Sequence, residues 1–281
     1  MEPEIAQTLI PLLAVLILTG VFAGLLAGLL GVGGGIVVVP MLFFVLQSFG
    51  FGTSISMQIA VGTSLLTIVP TSMSSALAHH RRGNVDIALA RFWMMPMILG
   101  ALTGSWVAIR VDGLLLAGLF GVVALLMAAN MLRRSFAKAR SQPSLSGSTV
   151  PAKPIQAMIA CLTGVLCVMM GIGGGTFGVT ALSAFKIPIR RAVGTSALFG
   201  VAIAAPGALT MSLAGYSHEA PLGTVGLVNL PAFFVLSPVT WMVAPIGVKL
   251  GAKLAPQTLT HLFAAFLILV GLRMIWQLFT R

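Results

Sequence analysis

Two glycine clusters carry the clearest chemical potential in this chain. GVGGG occupies 31–35 and GIGGG occupies 171–175, and each interrupts an apolar run. Breaking a membrane helix leaves backbone N–H and C=O groups without partners, at several kcal/mol each in lipid, so such a break must face protein or a watery cavity. Glycine permits the sharp backbone a break requires and bares that backbone to a ligand. The segment after each cluster opens a helix, whose free amides and positive dipole end form an anion site without a charged side chain. The candidate substrate-binding residues are therefore Gly33, Gly34 and Gly35 with Gly173, Gly174 and Gly175. Glycines also let helices approach closely, and that reading stands beside the site reading. No Lys follows either cluster, so neither is a Walker loop.

Hydroxyls supply the second signal. AVGTSLL at 60–66 recurs as AVGTSAL at 192–198, placing Thr63 and Ser64 opposite Thr195 and Ser196. A hydroxyl can donate to an oxyanion without the cost of a buried charge, or it can bond its own helix or a neighbour. Asn130 and Arg273 align across the two halves and, with His261, are possible accessory groups, since polar residues in spans are functional candidates by default. Arg273 stands near a segment end and can snorkel outward. His79 and His80 adjoin Arg81 and Arg82, which suits a solvated basic loop. Cys161 and Cys167 stand in an apolar segment without disulfide or metal spacing, so they read as small buried hydrophobes. No cofactor and no metal are expected.

The elements that position these residues belong to an all-α integral membrane protein. Hydrophobic residues make up 58% of the 281 and charged residues only 7%, against about 25% in soluble domains, and mean hydropathy is +1.08. The acids, Glu2, Glu4, Asp86, Asp112 and Glu219, lie at or near the ends of apolar runs. Apolar runs fall at 8–47, broken by the first glycines, then at 55–78, 92–109 and 114–132. A polar stretch at 133–154 follows. The pattern resumes with an interrupted run at 155–185 and continues at 191–214, 223–247 and 258–279. This gives a first transmembrane repeat at 1–134, a cytoplasmic linker at 135–154 and a second repeat at 155–281. Each repeat has five segments, its first pair short or re-entrant and joined by the glycine break. GALTGSWVA at 100–108 and LFGVVALLMAANML at 119–132 find counterparts in GVKLGAKLA at 247–255 and LFAAFLILVGLRMI at 262–275. An odd number of segments inverts the second copy, the architecture of many secondary transporters.

Charge sets the orientation. With the acidic N-terminus outside, the inner loops hold Arg81, Arg82, Arg91, Arg133, Arg134, Lys138, Arg140, Lys153, Lys186, Arg190, Arg191, Lys249 and Lys253. Only Arg110, Arg273 and Arg281 fall outside, as the positive-inside rule requires. The net charge of +11 reads as topogenic rather than as a nucleic-acid surface, since the cations form no arm and no aromatic platform accompanies them. The acidic start and long apolar run do not suit a signal peptide.

The duplicated GxGGG, the proline at 40 after the first copy, and AVGTS in the next helix resemble the TauE/SafE family, membrane proteins associated with export of sulfite and of organosulfur anions such as sulfoacetate. The second copy lacks a proline at the matching distance. The resemblance implies a secondary transporter of the bacterial inner membrane that exports a small sulfur-containing oxyanion, as monomer or homodimer, with the bilayer and a small anion as partners. A channel, or a transporter of another small solute including a cation held by backbone carbonyls, is the competing reading. The chain is not expected to be an enzyme: it carries no HExxH and no catalytic Ser–His–Asp set. No acid stands mid-span to couple flux to protons or sodium.

Overall fold

The computed structural model describes residues 2–31, 33–138, 152–215, 220–251 and 256–279. His218, Glu219, Lys253 and most of the linker lie outside them. Ten helices occur among the described residues. The first half holds α1 (Glu2–Leu30), α2 (Gly35–Ser48), α3 (Thr53–His80), α4 (Ile87–Arg110) and α5 (Gly113–Lys138). The second holds α6 (Lys153–Met169), α7 (Gly175–Ala184), α8 (Ile189–Ser212), α9 (Leu230–Gly251) and α10 (Pro256–Trp276). Among the described residues six helices are long and apolar enough to cross a membrane, in α1, α3, α4, α5, α8 and α9. The first pair of segments differs between the halves: α1 alone has full spanning length, whereas α2, α6 and α7 are short. α5 runs on to Lys138, past the expected linker boundary at 134.

The segment expected at 223–247 starts differently. Thr224–Val225 (β1) pairs antiparallel with Val228–Asn229 (β2) before α9 begins. Gly226, at φ 57°, supplies the left-handed position in the turn of this small hairpin, and Gly223, at φ 78°, immediately precedes the first strand.

Burial ranks the helices. In α3 and α8, 61% and 67% of the spanning window is buried, against 33–39% in the other four spans, so these two form the centre. Around them α1 packs on α9 and α6 on α4 through small residues, which let backbones approach. A Cβ at Gly24 would stand 3.0 Å from the Thr240 carbonyl oxygen, and Cβ atoms at Gly28 and Gly247 would collide with Ala244 and Leu25 backbone. On the other side, Cβ atoms at Gly100 and Gly164 would collide with the carbonyls of Cys161 and Met97. α5 and α10 pair at the flank, with Gly121 against Gly271. Outward faces carry exposed apolar side chains such as Met95, Leu126 and Met242, the surface a lipid solvent favours.

The central helices are pinned at two matching places. Thr195 Oγ1 on α8 accepts the Asp86 amide at 3.0 Å, and Asp86 caps α4 by accepting from the Leu89 amide at 3.1 Å. Thr63 Oγ1 on α3 accepts the Asn229 amide at 2.8 Å, and Asn229 Oδ1 accepts from the Ala232 amide at 3.0 Å at the head of α9. Asp and Asn are favoured at such N-terminal positions because they satisfy amides the helix cannot.

Candidate functional site

The first break is built by three left-handed glycines, Gly31, Gly33 and Gly34, at φ 67°, 81° and 78°. A side-chain-bearing residue there costs about 1–2 kcal/mol. The Gly34 carbonyl then accepts from Val37 and Val38 at 3.0 and 3.3 Å, starting α2. The second break differs. Gly171 (φ 63°) closes α6 in a Schellman arrangement, its amide donating to Val168 and that of Ile172 to Cys167. Gly174 caps α7 at φ −58°, so GIGGG has one left-handed residue where the described residues of GVGGG have three.

The two breaks meet. A Cβ at Gly33 would stand 3.4 Å from Gly173 Cα and 3.0 Å from Ser72 Oγ. One at Gly35 would collide with the Gly171 carbonyl and approach Ile68 Cδ1 at 2.6 Å. One at Gly34 would lie 2.7 Å from the Ala23 carbonyl, and one at Gly174 would lie 2.7 Å from Ile203 Cδ1 and 2.9 Å from Phe199 Cβ. Gly33, Gly34, Gly35, Gly173, Gly174 and Gly175 are all buried. Their missing side chains therefore do what close packing needs and also bring the N-termini of α2 and α7 into one buried region. The first amides of each helix lack an acceptor one turn earlier, and both positive dipole ends start there. Phe199, beside Gly174 and Gly178, is backed by Trp93 of α4, stacked at 5.6 Å and held by its Nε1–H donating to Gln156 Oε1 at 3.1 Å.

The hydroxyls divide by role. Thr63 and Thr195 accept the amides that fix the heads of α9 and α4. Ser64 Oγ donates to the Gly171 carbonyl at 2.8 Å, tying α3 to the second break. Ser196 is fully buried, and its Oγ has no partner among the described residues. It lies on the α7 side, 2.9 Å from where a Cβ of Gly178 would be. Three further buried hydroxyls share this condition: Ser72 of α3, Thr176 in the first turn of α7 and Ser183 near the end of α7. None is distinguished by the sequence motifs.

The chain matches, over residues 16–274, the family model described as sulfite exporter TauE/SafE. It belongs to the TauE/SafE family. It is 32% identical over 263 residues to a probable membrane transporter protein of Haemophilus influenzae, covering 92% of this chain and 96% of that protein. A probable membrane transporter protein of Methanocaldococcus jannaschii is 28% identical over 94% of this chain and 96% of its own length. The corresponding figures for the probable membrane transporter protein YunE of Bacillus subtilis are 26%, 94% and 97%. No solved structure matches. With six apolar helices of spanning length, this TauE/SafE protein is a multi-pass membrane protein.

The accessory candidates of this TauE/SafE protein lie on its flanking pair. Asn130 is half-buried on α5, and His261 and Arg273 are exposed on α10. The Arg273 guanidinium stands 5.8 Å from the Phe44 ring of α2, in an apolar groove with Leu269, Leu272 and Trp276. None of the contacts described for the three joins them to the glycine breaks. Cys167 is buried and Cys161 half-buried, both as free thiols. No group of metal-ligating side chains occurs among the described residues.

Proposed function

We propose that this protein exports a small sulfur-containing oxyanion, such as sulfite or an organosulfonate, by alternating access between two inverted repeats. One observation carries the reading. Two helix N-termini start at glycine breaks that touch each other, in a region where Ser196 and Thr176 bury hydroxyls that meet no partner among the described residues. A buried donor left unmade costs about 1–3 kcal/mol, and an oxyanion is a ligand that repays it. We read the tight contact between the breaks as a closed arrangement, which movement of one half against the other would open.

Matching contacts support the inverted repeat. A Cβ at Gly62 would collide with the Leu227 carbonyl, and its counterpart at Gly194 with the Asn84 carbonyl. Thr63 with Asn229 and Thr195 with Asp86 repeat the same hydrogen bond at opposite crossings. The charge distribution supports an outside N-terminus and a cytoplasmic linker in the inner membrane. Export then runs with the voltage, which favours anion exit by about 2.3 kcal/mol per charge per 100 mV, and no coupling carboxylate is needed. Efflux from proteoliposomes loaded with sulfite, sulfoacetate, sulfate or thiosulfate tests the reading. Sulfite or sulfoacetate should leave in a voltage-dependent, protein-dependent way. Sodium flux without anion flux would establish the cation reading instead.

A further inference from the structure

We propose that Ser72 is a substrate-binding residue, its hydroxyl donating to an oxygen of the transported oxyanion where the two glycine breaks meet. The inference rests on the anion reading above and deepens it by naming a donor outside both repeated motifs.

The first glycine break and α8 both close on this hydroxyl, and the second break lies beyond the first. Ser72 is carried by α3 and is 1% exposed. The Oγ lies 3.0 Å from the Cβ position of Gly33 in the first break, and that same position lies 3.4 Å from Gly173 Cα in the second. On the remaining side is α8: a Cβ at Gly200 would collide with the Ser72 hydroxyl and stand 2.9 Å from its Cβ. Gly200 thus makes room for the serine, as Gly33 does.

The neighbours of Ser72 show that its state is not the default for a helix hydroxyl. Thr67 and Thr71 of the same helix bond back to the carbonyls four residues earlier, at 2.9 and 2.7 Å. Thr71 also reaches Thr240 Oγ1 at 2.6 Å. Ser74 donates to Trp241 at 2.8 Å and Ser75 to Ala27 at 3.1 Å. Ser72 Oγ alone in this run has no partner among the described residues. A buried donor held against the glycine break that leads into α2, with its neighbours all satisfied, suits a ligand that brings its own acceptor. The shared AVGTS register aligns Ser72 with buried Ala204 in the other half, so one half alone supplies this contact and the site is asymmetric.

The test uses the full chain, purified and reconstituted, with sulfite as the probe. Ser72→Ala should insert and melt at or above the wild-type temperature, because it deletes an unpartnered hydroxyl. Its stabilisation by sulfite should weaken, with half-saturation of efflux moved roughly tenfold or more upward. Ser72→Cys, a weaker donor of similar shape, should fall between. Ser74→Ala, two residues away, should melt lower yet keep the wild-type response to sulfite. A Ser72→Ala protein that binds and exports sulfite like wild type overturns the inference and leaves the anion reading intact. A Ser72→Ala protein that fails to insert assigns the hydroxyl a structural role and overturns it also. If wild type itself neither binds nor exports sulfite or sulfoacetate, the anion reading falls and takes this inference with it.

Discussion

Gly35→Ala is the sharpest perturbation of the meeting breaks. Gly35 opens α2 without a left-handed φ, so alanine suits its backbone and the effect is steric. The added methyl collides with the Gly171 carbonyl, 2.6 Å from Ile68 Cδ1 and 2.9 Å from Ser64 Oγ. Ile68 and Ser64 can rotate, but a carbonyl cannot, so the two breaks must part. Overpacking of this kind costs about 1–3 kcal/mol, offset by up to about 1 kcal/mol of helix propensity gained over glycine. The Ser64 hydrogen bond to Gly171 is strained by the same movement. Thermal melting in detergent should drop, and anion efflux should fall by roughly tenfold or more, the factor that 1.4 kcal/mol of lost site geometry represents. Gly83→Ala is the matched control. It has φ 70° with nothing within 4 Å of its Cβ position, so it should cost about 1–2 kcal/mol of backbone strain and leave flux untouched. A Gly35→Ala protein with wild-type melting and wild-type flux would refute the reasoning, because it would mean the breaks do not touch.

Other outcomes follow from the same geometry. Thr63→Val and Thr195→Val each strand a helix-head amide and should lower stability by about 1–3 kcal/mol, to a similar extent if the two crossings are equivalent; melting curves check both. Asp86→Ala removes the α4 cap and should cost about 1 kcal/mol. Arg191→Ala should do little, since its ion pair with Asp86, at 3.7 Å, is largely exposed. For orientation, single cysteines at 52 and 83 in a Cys161→Ala, Cys167→Ala background should react with impermeant thiol reagents from outside and inside the cell respectively. The reverse pattern would invert the charge-based topology.

Much of the architecture was readable from composition and repetition, because lipid leaves a chain few options. Long apolar runs must be helical: the spans at 55–78 and 92–109 fall within α3 and α4, and the span at 191–214 overruns the end of α8 at Ser212 by two residues. The breaks also fall at the glycines. Their winding was not legible: GVGGG and GIGGG look alike, yet neighbours decide that Gly34 turns left-handed against Ala23 while Gly174 stays right-handed against Phe199. The hairpin at 224–229 did carry a signal, Thr and Val pairs around Gly226 behind Gly223, which the surrounding apolar run masked. At the site, Thr63 and Thr195 stand out as motif residues because they hold helix heads together. Ser72 does not stand out, because whether a serine bonds its own helix, a neighbour or nothing depends on which helices cross it.

The most direct measurement is to locate the anion. Selenite, a heavier analogue of sulfite, can be diffused into crystals of the full chain and found by the anomalous scattering of selenium. A peak within hydrogen-bonding distance of Ser72 Oγ and the leading amides of α2 or α7 is the predicted result. A fully occupied peak elsewhere, with the glycine junction unchanged and empty, would contradict the account.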